Sequence, residues 1–86
     1  MAKNNILNSD LVSFYLDYIS RHSYYKIRNL VLIYMKKLDK FENAKLRYNM
    51  SRSLSSKFTN ISTKAIKLNL VERDHKVYKI LKRKHF

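Results

Sequence analysis

The sequence contains no cysteine, no glycine and no proline. Without cysteine the chain can form neither a disulfide nor a thiolate metal site, which fits a reducing compartment. Without glycine it can build neither a glycine-rich phosphate loop nor a Gly-x-Ser-x-Gly nucleophile elbow. The turns must be made by Asn, Asp, Ser and His, and this favours a mainly helical fold with tight connections over an all-β fold.

Acidic residues are scarce as well. The chain has 6 Asp+Glu against 19 Lys+Arg, a formal net charge of +13. The carboxylates form no evident pair for acid–base catalysis, and His22, His75 and His85 lack metal-binding spacing. We therefore expect no enzymatic activity, no metal, no cofactor and no small-molecule substrate. The excess of cations indicates a polyanionic partner, which can be DNA, RNA or an anionic membrane surface.

Long hydrophobic runs are missing too. The longest nearly apolar run covers residues 30–35, far short of the roughly 20 residues that a membrane span needs. The first residues show no sustained apolar segment of the secretory type. We expect no transmembrane segment and a cytoplasmic, nucleoid-associated location. A length of 86 residues predicts a single domain with a thin core.

Charge divides the chain into two parts. Residues 1–41 hold 7 basic and 3 acidic side chains, whereas residues 42–86 hold 12 basic and 3 acidic side chains. Apolar residues are densest in the first part. We predict that residues 1–41 form a helical scaffold and dimer face, that residues 42–81 form the contact region, and that residues 82–86 form a basic tail.

Apolar spacing predicts two helices in the scaffold. The first begins at the capping residues 8–10 and ends near Arg21. Its apolar residues occupy more than one side, and because leftover apolar surface commonly marks an interface, we expect a homodimer through this helix. The second helix is capped by Ser23 and continues to about Leu38, with apolar residues around much of its girth, as is typical of a central helix.

The contact region predicts short helices. A helix with Phe41, Ala44 and Tyr48 on one face should break or bend at Asn49, and the serine-rich stretch after it is poor in helix formers. Two further short helices are predicted at residues 52–58 and 62–68. Asn69 should end the second of them, since asparagine accepts the left-handed conformation where glycine is missing.

The stretch LVERDHKVYKI, residues 70–80, predicts a β-hairpin with a charged tip. We expect Asp74 and His75 to be the two turn residues, because both tolerate a positive φ better than most residues. In that register Val71 lies opposite Tyr78, a favourable β-branched–aromatic pair.

The segments LSSKF (residues 54–58) and ISTKAIKLNLV (residues 61–71) resemble a winged helix-turn-helix domain. In that family a helix of the LAxxF type precedes a turn and a recognition helix, and an LGLV step leads into a two-stranded wing. Here the step reads LNLV, with Asn69 where the family usually has glycine. The resemblance covers residues 43–81 and is to small regulators of archaea, their viruses or plasmids. It implies a mainly α fold with a C-terminal β-hairpin.

The resemblance also implies the residues that meet DNA. Residues 62–68 would be the recognition helix in the major groove, and an alternative register gives that role to residues 51–58. The element before it would position the backbone, and the wing tip would grip phosphate or enter a neighbouring minor groove. The candidate DNA-binding residues are Arg52, Ser53, Ser56, Lys57, Ser62, Thr63, Lys64, Lys67, Arg73, His75 and Lys76.

The expected function is that of a dimeric protein that binds double-stranded DNA, as a transcriptional regulator or as a partition- or chromatin-type binder. Three alternatives stay open: an RNA-binding or ribosome-associated protein, a cationic membrane-surface protein, and a protein–protein adaptor. Preference for RNA over duplex DNA would favour the first. Binding to anionic vesicles without binding to DNA would favour the second.

Overall fold

A computed structural model of the chain describes residues 8–38 and 44–81. The prediction of a mainly helical fold with a C-terminal antiparallel hairpin is confirmed. The predicted basic tail, residues 82–86, lies outside the described residues. In chain order the elements are α1 (Asn8–Arg21), β1 (Tyr24–Tyr25), α2 (Ile27–Leu38), α3 (Ala44–Lys67), β2 (Val71–Asp74) and β3 (Val77–Ile80).

Helix α1 has the predicted bounds. Asp10 in its first turn and Arg21 in its last turn both oppose the charge of the helix dipole. Arg21 also pairs with Asp17 at 3.3 Å, one helical turn away. Leu11 and Tyr15 are buried, so this face of α1 packs on the core.

Helix α2 begins later than the sequence predicts. The residues after Ser23 form the short strand β1 first, and the helix starts at Ile27, with the Lys26 carbonyl accepting its first backbone bonds. The reason is tertiary: β1 adds a third strand to the hairpin, which buries Tyr25. Leu30 and Val31 then face the core, as the apolar spacing predicts.

Helix α3 is one continuous helix of 24 residues. The helix therefore does not break at Asn49, and the predicted link between residues 58 and 62 is wrong. The buried residues of α3 keep one stripe facing the core through the serine-rich stretch, and this packing outweighs the weak helix propensity of its serines. The stripe consists of Leu54, Phe58, Ser62 and Ala65.

The end of α3 follows the prediction. Asn69 has a φ of 62°, in the left-handed region. The Leu70 N–H donates to the Ala65 carbonyl at 2.9 Å, and the Asn69 N–H donates to the Ile66 carbonyl at 3.0 Å. This pair of bonds is the Schellman motif, which satisfies carbonyls at the helix end and turns the chain into β2.

The three strands form one antiparallel sheet in the order β1-β3-β2. The turn residues are His75 and Lys76, so the predicted turn at Asp74 and His75 is wrong by one position. His75 takes the positive φ, 59°, at the first turn position, as in a type II′ turn. Val71 consequently pairs with Ile80, whereas the predicted register would have left Ile80 beyond the end of β2.

The core contains a string of three buried hydroxyl groups. The Tyr25 hydroxyl lies 2.6 Å from the Tyr15 hydroxyl and 2.6 Å from Ser62 Oγ. Tyr25 also stacks on Tyr78, with ring centroids 5.0 Å apart and planes 3° from parallel. The string therefore ties α1, β1 and α3 together, and no buried side-chain polar atom among the described residues lacks a partner.

Candidate nucleic-acid interface

Positive charge is concentrated on α2 and α3. The described residues from 26 to 67 carry ten basic side chains and no acidic one. Elsewhere in the described chain the carboxylates belong to Asp10 and Asp17 on α1 and to Glu72 and Asp74 on β2. No acidic side chain of these two helices offsets the positive electrostatic potential of their basic residues. A surface that binds a polyanion is expected to have this property.

Exposed residues of α3 recur at the same three- and four-residue intervals as its buried residues, at positions two residues away from them. Two residues correspond to about 200° around a helix, so the two sets lie on opposite sides. We call this exposed set the polar face of α3. It consists of Arg52, Ser56, Asn60, Thr63 and Lys67, all exposed.

The side chains of the polar face offer complementary hydrogen-bonding groups. Arg52 and Lys67 donate from cationic groups, Ser56 carries a hydroxyl, and Asn60 carries both a donor and an acceptor on one amide. The hydroxyl of the exposed Thr63 donates to the Thr59 carbonyl at 3.0 Å, and its oxygen can still accept a hydrogen bond. The face contains no carboxylate that would repel a phosphate backbone.

The sequence-predicted site residues on α3 do not all reach the surface. Ser53 and Lys64 are exposed beside the polar face, and Lys57 is half-buried. Ser62 is 0% exposed and bonded to Tyr25, so the prediction that it is exposed at the start of a recognition helix is wrong. Its position in the buried stripe, four residues after Phe58, is the physical reason.

Both candidate segments for the recognition helix lie on a single helix. Residues 51–58 and 62–68 were predicted as separate helices joined by a turn, whereas both segments belong essentially to α3. Helix α3 packs extensively on α2, and the whole polar face lies on this one helix.

A cleft opens between the start of α2 and the hairpin. Its volume is about 800 Å³, and none of the residues that line it is acidic. Lys26 and Arg28 contribute from the side of α2, Arg73 and Lys76 from the hairpin, and Thr59 from α3. The predicted wing residues Arg73 and Lys76 are thereby brought together with two cations that lie far away in the sequence.

Arg73 is held in place at this cleft. Its Nε–H donates to the His75 carbonyl at 2.8 Å, and its guanidinium carbon lies 5.7 Å from the centre of the Tyr78 ring. Tyr78 is the cross-strand neighbour of Arg73. Because side chains alternate along a strand, Glu72 and Asp74 point to the other side of the hairpin. There Asp74 pairs with Lys79 at 3.4 Å.

Three residues of this surface escaped prediction from the sequence. Lys26 and Arg28 become neighbours of the hairpin because β1 pairs with β3, and nothing in the dipeptide Tyr24–Tyr25 distinguishes a strand from the start of a helix. Asn60 was hidden by the predicted turn. If residues 44–67 are treated as one helix, Asn60 lies two positions from Phe58 and therefore on the side opposite the apolar stripe.

The described residues show no metal site and no membrane span. No three of their His, Asp or Glu side chains converge on a common point. Of the helices in residues 8–38 and 44–81, none is long and apolar enough to cross a bilayer.

Searches against protein-family models, curated proteins and solved structures returned no match to this chain.

Proposed function

We propose that the protein is a winged helix-turn-helix protein that binds double-stranded DNA. The observation that carries the proposal is the polar face of α3, an exposed helical surface with hydrogen-bonding and cationic groups and no carboxylate. Helix α2 packs on α3 and a charged hairpin follows it, which supports the assignment of α2 and α3 as the helix-turn-helix and of the hairpin as the wing.

The polar face of α3 is suited to the major groove. An α-helix is about 10–12 Å wide with its side chains, and the major groove of B-form DNA is about 12 Å wide. Asn60 can bond both N6 and N7 of adenine, and the Thr63 methyl group can contact a thymine methyl group. Because the major groove of an RNA duplex is deep and narrow, this arrangement favours DNA over double-stranded RNA.

The remaining cations are suited to the phosphate backbone. In this proposal Lys26, Arg28, Arg73 and Lys76 neutralise phosphates beside the groove that α3 occupies. Each neutralised phosphate contributes a slope of about −0.9 to the logarithm of affinity against the logarithm of salt concentration. We expect steep salt dependence, typical of a transcriptional regulator or of a partition- or chromatin-type protein.

A titration of labelled duplex DNA at two salt concentrations tests the proposal. We expect binding at low salt that weakens steeply at higher salt. Single-stranded RNA and duplex RNA of the same sequence, and vesicles with anionic lipid, provide the comparison. Absence of DNA binding at low salt, or tighter binding to RNA or vesicles, would overturn the proposal and favour the corresponding alternative.

We also propose a homodimer through α1. Val12 and Leu16 are 39% and 47% exposed. They lie one helical turn apart, so the two apolar side chains form an exposed stripe on one side of α1. Such an apolar stripe is a candidate interface in a small helical protein. Sedimentation equilibrium should give a dimer for the natural chain and a monomer for Leu16→Glu. A natural chain that stays monomeric at high protein concentration would refute it.

A further inference from the structure

We propose that the cleft between α2 and the hairpin holds one backbone phosphate, so that the hairpin tip grips phosphate and does not read a neighbouring groove. This inference rests on the proposed function and adds the ligand of one defined part of the surface. It is carried by the four cations that line the cleft and by the short reach of the hairpin.

The cations come from two separate elements and face a common space. Lys26 and Arg28 flank the start of α2, Arg73 lies on β2 and Lys76 is a residue of the hairpin turn. Like charges repel one another, so without a ligand such a cluster is unfavourable. A phosphate placed among them removes that repulsion and accepts several charge-assisted hydrogen bonds.

Arg73 is the most fixed of these cations. Its Nε–H is already bonded to the His75 carbonyl, and its guanidinium packs over Tyr78. Tyr78 in turn stacks on Tyr25 in the core. The two Nη groups have no hydrogen-bond partner among the described residues. A guanidinium fixed in this way loses little side-chain entropy when a phosphate accepts its Nη donors.

The hairpin extends only a short way beyond the cleft. Beyond the pair Arg73–Tyr78 it extends by the pair Asp74–Val77 and two turn residues. At about 3.3 Å per residue this is less than 10 Å of additional length. On its other edge β1 pairs with Tyr78, and α2 begins two residues after Tyr25. The tip therefore lies beside α2, where Lys76 shares the cleft with Lys26.

A double-mutant cycle tests whether one phosphate meets both sides of the cleft. Arg28→Gln and Arg73→Gln are measured alone and together, by titration of the duplex over a range of salt concentrations. If both arginines hold the same phosphate, each single change should weaken binding roughly tenfold, and the double variant should lose clearly less than the product. The salt slope should fall by no more than about 0.9 even in the double variant, because only one phosphate is involved.

Two controls keep this result specific. Arg73→Gln combined with Lys67→Gln, which lies on the polar face of α3, should be additive, because the two cations would meet different parts of the DNA. Arg21→Gln removes the same charge from α1, where Asp17 already neutralises it, and should leave affinity nearly unchanged. Thermal unfolding of each variant confirms that it is folded.

The possible failures are distinguishable. An additive cycle with a slope that falls by about 1.8 in the double variant means two separate phosphates and overturns the inference alone. An unchanged affinity in Arg28→Gln also overturns it, since the α2 side of the cleft would then be unused. If the natural chain binds no nucleic acid at low salt, the proposed function and this inference fail together.

Discussion

On α3, the buried stripe and the polar face recur at the same intervals, two positions apart along one continuous helix. The buried stripe fixes where the helix lies, because Leu54 and Phe58 pack into the core with 0% exposure. The side chains of the polar face are exposed, so packing into the core does not dictate the identity of Asn60 and its neighbours. If the polar face meets DNA as we propose, α3 separates stability from recognition by residue position alone, and substitutions on its two sides should have different outcomes.

The largest effect is expected at Phe58. Its ring lies 5.9 Å from the Phe14 ring and 6.0 Å from the Tyr34 ring, so it joins α1, α2 and α3. Phe58→Ala should lower the free energy of unfolding by about 3–5 kcal/mol, because it removes apolar contacts and leaves a cavity. Urea unfolding measures this.

The matched control for Phe58 is Ser56→Ala on the polar face, which should change the free energy of unfolding by less than about 0.5 kcal/mol. If Phe58→Ala is too unstable to fold, Phe58→Leu should show a smaller loss in the same direction. Equal stability losses at Phe58 and Ser56 would contradict the division of α3 into a structural and a recognition side.

The next effect is a loss of folding stability at high pH. It arises in the string of hydroxyl groups that links Tyr15 and Tyr25 to Ser62 in the buried stripe. Burial raises the pKa of Tyr25 above its usual value, and burial raises the pKa of Tyr15 as well. In the unfolded chain these tyrosines ionise near pH 10. Above that pH the unfolded state loses protons that the folded state keeps, so stability that is fully present below about pH 10 declines as the pH rises.

Urea midpoints between pH 8 and pH 11 test this expectation. The natural chain should lose stability over the upper part of the range, and Tyr25→Phe should lose less, although it starts from a lower value. Neutralisation of lysines also occurs in this range, but it affects both proteins alike, so the difference between them reports on Tyr25. Parallel curves for the two proteins would show that burial of the hydroxyl does not influence folding.

A smaller effect, on recognition and not on folding, is expected at Asn60. Selection of preferred duplexes from a random library should give an A·T pair at one position for the natural chain. Asn60→Ala should lose that preference at a cost of about 1–3 kcal/mol, because the bidentate contact with adenine is removed. Its free energy of unfolding should not fall. A selected site that is unchanged in Asn60→Ala would mean that this part of the polar face does not read bases.

How much of this arrangement the sequence could predict depends on how local the cause is. The cap at Asn69, the bounds of α1 and the presence of the hairpin, though not its register, follow from nearby residues and were predicted. The continuity of α3 was not, because local propensity favours a break in the serine-rich stretch. There the packing of Leu54 and Phe58 decides the outcome, and packing depends on helices distant in the sequence.

The cleft illustrates the same limit for the site. Arg73 and Lys76 were candidates because the charged tip of a hairpin is visible in the sequence. Their meeting with Lys26 and Arg28 depends on the pairing of β1 with β3, a contact between residues more than fifty positions apart. A strand of two residues carries no detectable alternation, so no sequence pattern could have indicated it.

The smallest expected effect is at Ser62, which sequence reasoning placed in the DNA contact and the structure places in the core. Ser62→Ala removes one hydrogen bond to Tyr25, whose hydroxyl keeps its bond to Tyr15, so we expect a loss of about 1 kcal/mol in the free energy of unfolding. DNA affinity of the folded protein should be unchanged. The neighbouring Thr63→Ala should show the reverse, with little change in stability and weaker or less selective binding. If Ser62→Ala instead weakens binding at a protein concentration and temperature where it is fully folded, the buried stripe takes part in recognition and the two sides of α3 are not independent.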